Sequence, residues 1–555
     1  MNAQMMYVDG VPVPIEGETN LLQLTRKAGV ELPTFCYHSE LSVYGACRMC
    51  MVEDGRGNLH AACSTPPRAG MEVFTGTPRL RKYRKTILEL LLANHCRDCT
   101  ACPKNGRCRL QELAARFGVR EIRFENRKRE PLRDRSSDSI VIDRSKCILC
   151  GDCVRMCGEV QRVGAIDFMH RGSNMVISTA FDQPIATSGC VSCGQCAAIC
   201  PTGAILIKSD KAPVWTALAD KSTKVIAQVA PAVRVAVAKE FGMPEGENNM
   251  GRIVAALRRL GFDEVFDTAT GADLTVMEES AELIARLEAG EGPLFTSCCP
   301  AWVEYARTRH PELMRSISSC KSPMGMLSAV IKAHNAPSSR KAVTVAVMPC
   351  TAKKHEAALA ADTDYVITTY ELVAMIREAG IVFRELEPEA VDSAFSSSTG
   401  AGLLFGASGG VTEAVIRRLT TDKSSRALNA LAISGVRDED GIRVLTVEMP
   451  GRALRVAVVS GLANAEKLIE RVKSGEAYDF VEVMACPGGC VGGAGQPLGE
   501  GGEAARRARG LYAADRMTSL KRSEENPLIL SLYSGVLRGR VRELLHVDRG
   551  GDAHG

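Results

Sequence analysis

The sequence predicts a multidomain chain of α+β and α/β parts, and three observations predict it. First, 555 residues at about 150 per domain give three to five domains. Second, sixteen of the 22 cysteines fall in the first 200 residues, none lies between 201 and 297, and six follow. Third, beyond residue 210 apolar β-branched runs (KVIAQVAP, VTVAVMPC, LRVAVVSG) alternate with helical stretches such as GRIVAALRRLGF and SAELIARLEAG. That alternation is the texture of α/β layers with mostly buried parallel strands. Hydrophobic residues at 45% and charged residues at 24% exclude a disordered, collagen-like or coiled-coil chain. A net charge of +4 argues against nucleic acid as the main partner. No apolar run reaches the roughly 18 residues of a membrane span. The start, MNAQMMYVDGVPVPIEG, lacks a basic n-region, an apolar h-region and a twin-arginine pair, so the expected location is cytoplasmic.

Residues 1–80 read as a small β-rich domain of short strands and turns, with YVDGVPVPI a hairpin. Within it Cys36, Cys47, Cys50 and Cys63 follow C-x10-C-x2-C-x12-C. Four thiolates there suit a [2Fe–2S] centre, with zinc the runner-up for this motif taken alone. Disulfides lose because the cysteines come in C-x-x-C runs on a large chain with no export signal.

Residues 81–137 form the next unit, where 81–95 (RKYRKTILELLLANH) is an amphipathic helix that delivers a histidine to its end. The following HCRDCTACPKNGRC offers two ligand sets for a cluster: Cys96, Cys99, Cys102 and Cys108, or His95 with Cys99, Cys102 and Cys108. Spacing leaves both open. Residues 120–137 are dense in Arg and Glu, either a solvated linker or a docking face for an acidic electron carrier.

Residues 138–209 hold an internal repeat of about 43 residues. Cys147, Cys150, Cys153 and Cys157 follow C-x2-C-x2-C-x3-C, and so do Cys190, Cys193, Cys196 and Cys200, with Pro201 next. In that tandem pattern three thiolates wrap one cubane and the fourth ligates the other. Cys147, Cys150, Cys153 and Cys200 are therefore expected to hold one [4Fe–4S] cluster, and Cys190, Cys193, Cys196 and Cys157 the second. A chain with four such clusters is an electron wire. Residues 210–499 carry the α/β texture, and 500–555 form a short C-terminal region whose end, RGRVRELLHVDR, reads as helical.

Five of the last six cysteines lie in FTSCCPAW (295–302), MPCTAKKHE (348–356) and MACPGGCVGGAGQP (484–497), and the sixth is Cys320 in SSCKSP. In this order, behind this ferredoxin-like array, the three motifs resemble the signature of [FeFe]-hydrogenases, essentially from end to end. The C-terminal region resembles that family's small subunit. The resemblance implies a two-lobed α/β domain that holds the H-cluster, a [4Fe–4S] cubane bridged by cysteine to a diiron unit with CO, cyanide and a dithiolate amine. It implies Cys299, Cys350, Cys486 and Cys490 as cubane ligands, with Cys490 the bridge. It also decides for His95 in the second cluster. Cys298 matches the residue that passes protons to the bridging amine, and Glu279, Ser318, Glu282 and Arg286 match the route beyond it. Read alone, Glu279, Glu282 and Arg286 of MEESAELIAR share one helix face, as an exposed salt-bridged face also would. Lys353 matches a donor to an iron-bound cyanide, Ala230 and Pro231 the backbone contacts to the other cyanide, and Met348 and Met484 soft side chains around the diiron unit. Three positions depart from the family pattern: Ala232 for serine, Met324 for glutamine and Ala494 for glycine.

The activity implied is 2H⁺ + 2e⁻ ⇌ H2. The rivals are an H2-sensing or electron-transfer homologue with little turnover, and an iron–sulfur subunit of a larger dehydrogenase. Neither G-x-G-x-x-G nor G-x-x-x-x-G-K-[ST] occurs, so nicotinamide and flavin sites are expected on other chains. Expected partners are ferredoxin or NAD(P)H-oxidising iron–sulfur and flavin subunits, together with the hydrogenase maturation proteins.

Overall fold

The computed structural model describes residues 4–126, 133–420, 422–432, 435–437, 441–449, 451–497 and 501–549. The N-terminal sheet has five short strands in the order Val11–Pro14, Met5–Val8, Glu72–Phe74, Met51–Asp54, Leu59–Ala61. Its first two strands form the expected hairpin through Asp9 and Gly10, both with positive φ (49° and 82°). That is a type I′ turn, whose twist matches the flanking strands. Helix Pro78–Ala93 follows, capped by the Thr77 side chain accepting from the Leu80 N–H and begun by a proline at N1. Its buried Arg84 donates to the carbonyls of Met49, Met51 and Thr75, which ties the helix to the strand that follows Cys50.

The 43-residue repeat is a repeat of backbone as well as of cysteines. Leu149 and Gly151 in the first copy have φ of 55° and 78°; Ser192 and Gly194 in the second have 57° and 70°. A short helix then starts in each, Asp152–Arg155 and Gln195–Ile199. Such alternation turns successive N–H groups into one concavity, a shape suited to anionic clusters. The Leu149 N–H accordingly points at the Cys147 sulfur, 3.4 Å away. Of the Arg- and Glu-rich segment 120–137, residues 127–132 lie outside the described residues. The described part is not wholly a free linker: Arg133–Asp134 pairs with the strand Ile140–Asp143, and Arg123 bonds the buried Glu89 at 2.6 Å.

Among the described residues, the part of the chain after residue 210 contains two four-stranded sheets. In one, Glu264–Asp267, Thr223–Val229, Lys341–Met348 and Tyr365–Thr368 are all parallel. In the other, Leu294–Phe295, Phe480–Met484 and Arg452–Ser460 are parallel, and Ile442–Met449 closes the edge antiparallel. Helices Ala269–Ala289 and Pro323–Asn335 pack against each other near the site. The C-terminal region adds helices Glu503–Met517, Pro527–Ser534 and Val541–Leu545. The helix expected through RGRVRELLHVDR is only Val541–Leu545, because His546 and Val547 run extended along Ser319–Lys321 instead. Among the described residues no helix is long and apolar enough to cross a membrane.

Candidate functional site: a chain of thiol clusters ending in a buried four-thiol centre

In the N-terminal domain the four thiols pair off. Cys36 shares a hydrogen bond with Cys47, which draws Cys47 down to about 6 and pushes Cys36 up, and the Cys50–Cys63 pair behaves likewise. Two pairs suit a two-iron rhomb, in which each iron takes two thiolates.

Around His95 the thiol of Cys96 turns to the Asp98 carboxylate at 3.3 Å. Burial pushes the Cys108 thiol up, with like charge from Cys102 and Cys99 adding to it. The turn of Cys96 to Asp98 favours the His95 set over the all-cysteine one. Cys102 also lies against the next domain: a Cβ on Gly203 would stand 2.9 Å from its sulfur.

One interior cavity is lined by Cys147, Cys150, Cys153 and Cys200 together. Burial raises the Cys150 and Cys153 thiols, with like charge from other members of that set adding to it. Cys190, Cys193 and Cys196 are raised in the same way, and each feels Cys157. Both crossed sets are thus brought together. The first stands next to the N-terminal domain, because Arg155 donates both to Asp152 (2.5 Å) and to the Cys36 carbonyl (3.0 Å).

The second set abuts the part of the chain after residue 210. Thr351 donates to the Ser192 carbonyl (2.8 Å), and Gln195 donates to the Gly492 carbonyl (3.1 Å). Gly194 is required here, since a Cβ would stand 2.3 Å from the Thr351 hydroxyl. Cys193 is near enough to Cys486 to raise it electrostatically.

The last four thiols come from the carboxyl ends of parallel strands, the edge at which α/β sheets build sites. Cys299 follows Leu294–Phe295, Cys350 follows Lys341–Met348, and Cys486 and Cys490 follow Phe480–Met484. Ala230 and Pro231 follow Thr223–Val229 in the same manner, and Met348 and Met484 end their strands, both 2% exposed. Gly489 has φ +89°, and a Cβ there would meet the Ser408 amide nitrogen at 2.6 Å. Burial raises all four thiols, and each of Cys350, Cys486 and Cys490 is raised further by others of the group. Four converging thiols in an interior this dry suit a multinuclear iron cation, whose charge would offset theirs.

Beside this centre, Cys298 is buried and Glu279 is fully enclosed. Burial, then the charge of Glu282, pushes Glu279 up to about 8. Its Oε1 accepts from the Ser297 N–H (3.3 Å), while its Oε2 has no hydrogen-bond partner among the described residues. The Ser318 hydroxyl faces Glu279 and donates to Glu282 at 2.6 Å. Arg286, on the same helix, turns elsewhere: it bonds the Arg315 carbonyl (3.0 Å) and Glu291 (3.2 Å). The structure therefore joins Cys298, Glu279, Ser318 and Glu282, and leaves Arg286 at the margin. Lys353 donates to the Cys298 carbonyl (3.2 Å) and to Glu356 (2.7 Å). Burial opposes its charge, but Glu356 and the Cys350 thiolate outweigh that and raise it.

Two neighbours escaped the reading of the sequence. Glu356, three residues after Lys353, was legible as an i,i+3 partner. Glu482 carried no signal, being a lone carboxylate in an apolar strand; it accepts from the Gly409 and Thr412 amides, both at 2.7 Å. The three departures are all buried, with the Met324 carbonyl accepting from Gln228 (3.1 Å) and the Ala232 carbonyl from Gln496 (2.9 Å).

Comparison with known proteins agrees with this layout. Residues 223–494 match the model of the iron-only hydrogenase large subunit, C-terminal domain, and 502–548 that of the iron hydrogenase small subunit. Residues 5–78 match a 2Fe-2S iron-sulfur cluster binding domain, 84–123 the NADH-ubiquinone oxidoreductase-G iron-sulfur binding region, and 146–204 a 4Fe-4S dicluster domain. The chain is 39% identical to the NADP-reducing hydrogenase subunit HndD of Solidesulfovibrio fructosivorans, over 98% of each chain. It is 34% identical to iron hydrogenase 1 of Clostridium pasteurianum, over 98% of this chain and 99% of the other. Among solved structures, apo [FeFe]-hydrogenase HydA1 from Chlamydomonas reinhardtii matches with a TM-score of 0.53 and 38% identity, over 61% of this chain and 98% of that one.

Proposed function

The chain belongs to the [FeFe]-hydrogenase family and is an oxidoreductase acting on H2, and from that premise we propose that it catalyses 2H⁺ + 2e⁻ ⇌ H2 at an H-cluster held by Cys299, Cys350, Cys486 and Cys490. The observation that carries this reading is the series that leads away from the four-thiol centre, from buried Cys298, Glu279 and Ser318 out to half-buried Glu282. When bound, the H-cluster supplies the site at which two protons and two electrons combine. The chain supplies the rest. Cys298 exchanges protons at its sulfur, and Glu279, protonated at neutral pH, is the carboxylic acid that refills it. Ser318 passes a proton between the two carboxylates through one hydroxyl, and Glu282 is the outer acceptor; Arg286 guards the mouth. Lys353, fixed by Glu356, would offer its ammonium to a cyanide ligand. Ala230, Pro231, Met348 and Met484 would line the diiron unit.

Cys36, Cys47, Cys50 and Cys63 would hold one [2Fe–2S] cluster, and His95, Cys99, Cys102 and Cys108 together with the two crossed sets would hold three accessory [4Fe–4S] clusters, which would supply a path for electrons. The N-terminal domain and the His95 unit both abut the Cys147–Cys200 set, so either serves as an entrance. This reading divides the chain after residues 80, 137, 209 and 499. The partners are ferredoxin or NAD(P)H-linked subunits, and the likeness to a subunit named as NADP-reducing favours the latter.

The test is infrared spectroscopy of the protein co-expressed with maturation proteins, paired with an H2 assay on reduced methyl viologen. CO and cyanide bands with turnover are the expected result. Bands without turnover would favour a sensor, and no bands despite full iron content would sink the diiron site.

A further inference from the structure

The C-terminal segment is fastened to one short stretch of the catalytic half with unusual density. The Lys321 N–H donates to the Leu545 carbonyl and the Val547 N–H to the Ser319 carbonyl, both at 2.8 Å, with Cys320 opposite His546. The Ser319 hydroxyl meets Nδ1 of His546 at 2.8 Å, and Nε2 of that ring meets Glu278 at 3.0 Å. Arg549 closes the strap: its Nε donates to the Ser318 carbonyl (2.6 Å) and its Nη2 to the Cys320 carbonyl (3.0 Å). The residues so clamped are those that grip Glu282. Ser318 does so through its hydroxyl at 2.6 Å, and Ser319 through its N–H, at 3.1 and 3.2 Å from the two carboxylate oxygens.

We propose that Arg549, assisted by His546, is a positioning residue for proton delivery: the C-terminal strap holds the extended Ser318–Cys320 stretch so that the Ser318 hydroxyl stays bonded to Glu282 while facing Glu279. This rests on the reading that Ser318 and Glu282 carry protons. A hydroxyl relay needs heavy atoms about 2.6–3.2 Å apart, or one water between them, on each side. Ser318 has its carbonyl, N–H and hydroxyl on one short extended stretch, so a drift of that stretch by about 1 Å breaks the Glu282 link and moves the hydroxyl away from Glu279. Arg549 locks it because a planar guanidinium grips two carbonyls at once, which the single ammonium of lysine does with less geometric control. The charged and titratable groups around this stretch include Glu278, Glu279 and Glu282 from helix Ala269–Ala289, Glu356 from Ala352–Leu359, Cys320 and Lys321 of the stretch itself, Asp362 paired with Lys321 at 2.9 Å, and Tyr533 and His546 from the C-terminal region. Arg549 itself faces Glu356, Cys320, Glu282 and Glu279.

The experiment compares R549Q, R549K and H546Q with S318A, all as matured holoenzymes. R549Q is expected to lower H2 evolution roughly 10-fold, enlarge the H2O/D2O rate ratio and shift the pH profile. R549K should recover less than half of the loss. CO and cyanide infrared bands should be unchanged, and amide exchange in the peptide around Ser318–Lys321 should quicken. Parental rate, isotope ratio and pH profile in R549Q would overturn the inference, and so would a loss of infrared bands in step with activity, which would mean a role in cluster loading. If R549Q fails to fold, R549K and H546Q carry the same readouts. An inactive S318A beside an unaffected R549Q sinks this inference alone, whereas a fully active S318A sinks the proton-route reading on which it rests.

Discussion

The accessory array and the catalytic half solve one problem, gathering thiols around iron, in opposite ways. In residues 147–200 three thiols of each copy come from one short stretch whose backbone repeats between the two copies, down to the positive φ at Leu149 and Ser192. In the catalytic half four thiols arrive from three strand ends spread between residues 299 and 490. A local site needs little more than its own loop, while the distributed site exists only when both sheets are formed and docked. The settings differ too. Cys99 is exposed at the array's edge, whereas Cys298 and Cys486 are buried. An electron entrance tolerates water, but a centre that meters protons must exclude it.

The largest effect should come from breaking the distributed site. Cys350→Ser is expected to abolish H2 turnover, by more than about 1,000-fold, because no neighbouring group replaces the ligand. Infrared bands should vanish with it, while the electron paramagnetic resonance signals of the accessory clusters survive. Loss of the accessory signals in that variant would mean that the two regions do not fold independently of the centre. Cys298→Ala comes next, with turnover down by on the order of 100-fold or more. Iron content and infrared bands should hold, since that sulfur is not a ligand in this reading.

Legibility followed the same divide. The tandem C-x2-C-x2-C-x3-C spacing was enough to pair Cys200 with the first set and Cys157 with the second, because the ligands' geometry is written within one turn. The hairpin at Asp9–Gly10 was readable for the same reason. Glu482 and Glu356 show the opposite case: each matters through what the fold brings near, Gly409 and Thr412 for one and Lys353 for the other. The end of the chain misled in a physical way. RVRELLHVDR has helical texture, but the strap bonds from residues 319 and 321 to residues 545 and 547 outcompete another helical turn. Arg286 illustrates the limit of a shared helix face, because its guanidinium found a carbonyl at Arg315 and a carboxylate at Glu291.

A subtler contrast lies within the proton route. Glu279 is held at about 8 by burial and by Glu282, against an ordinary carboxyl value of about 4.3. Between those values the folded chain keeps a proton that the unfolded chain has released, so this group's share of stability is intact at low pH and is lost as pH rises toward 8. Glu279→Gln cannot ionise and should escape that loss. Thermal or denaturant unfolding at pH 5 and pH 8 should show a pH-dependent loss smaller by on the order of 2 kcal/mol in the variant. An identical pH dependence in both proteins would mean that Glu279 is ionised in the folded state. Turnover should fall as well, because an amide cannot carry the proton onward.

The smallest effect is expected at Cys96, and it sharpens the comparison most cheaply. The other accessory sites are read as all-cysteine, so a histidine ligand here needs support from the neighbouring thiol's behaviour. Cys96 donates to Asp98, while Cys99 and Cys102 add like charge to Cys108. Cys96→Ser should therefore leave iron content, the cluster's resonance signal and methyl-viologen turnover within about 20% of the parent, as expected for a surface substitution that removes no ligand. Cys99→Ser should delete that cluster's signal. If Cys96→Ser deletes it instead and His95→Ala does not, the ligand set is the four cysteines, and this entrance is built like the rest of the array.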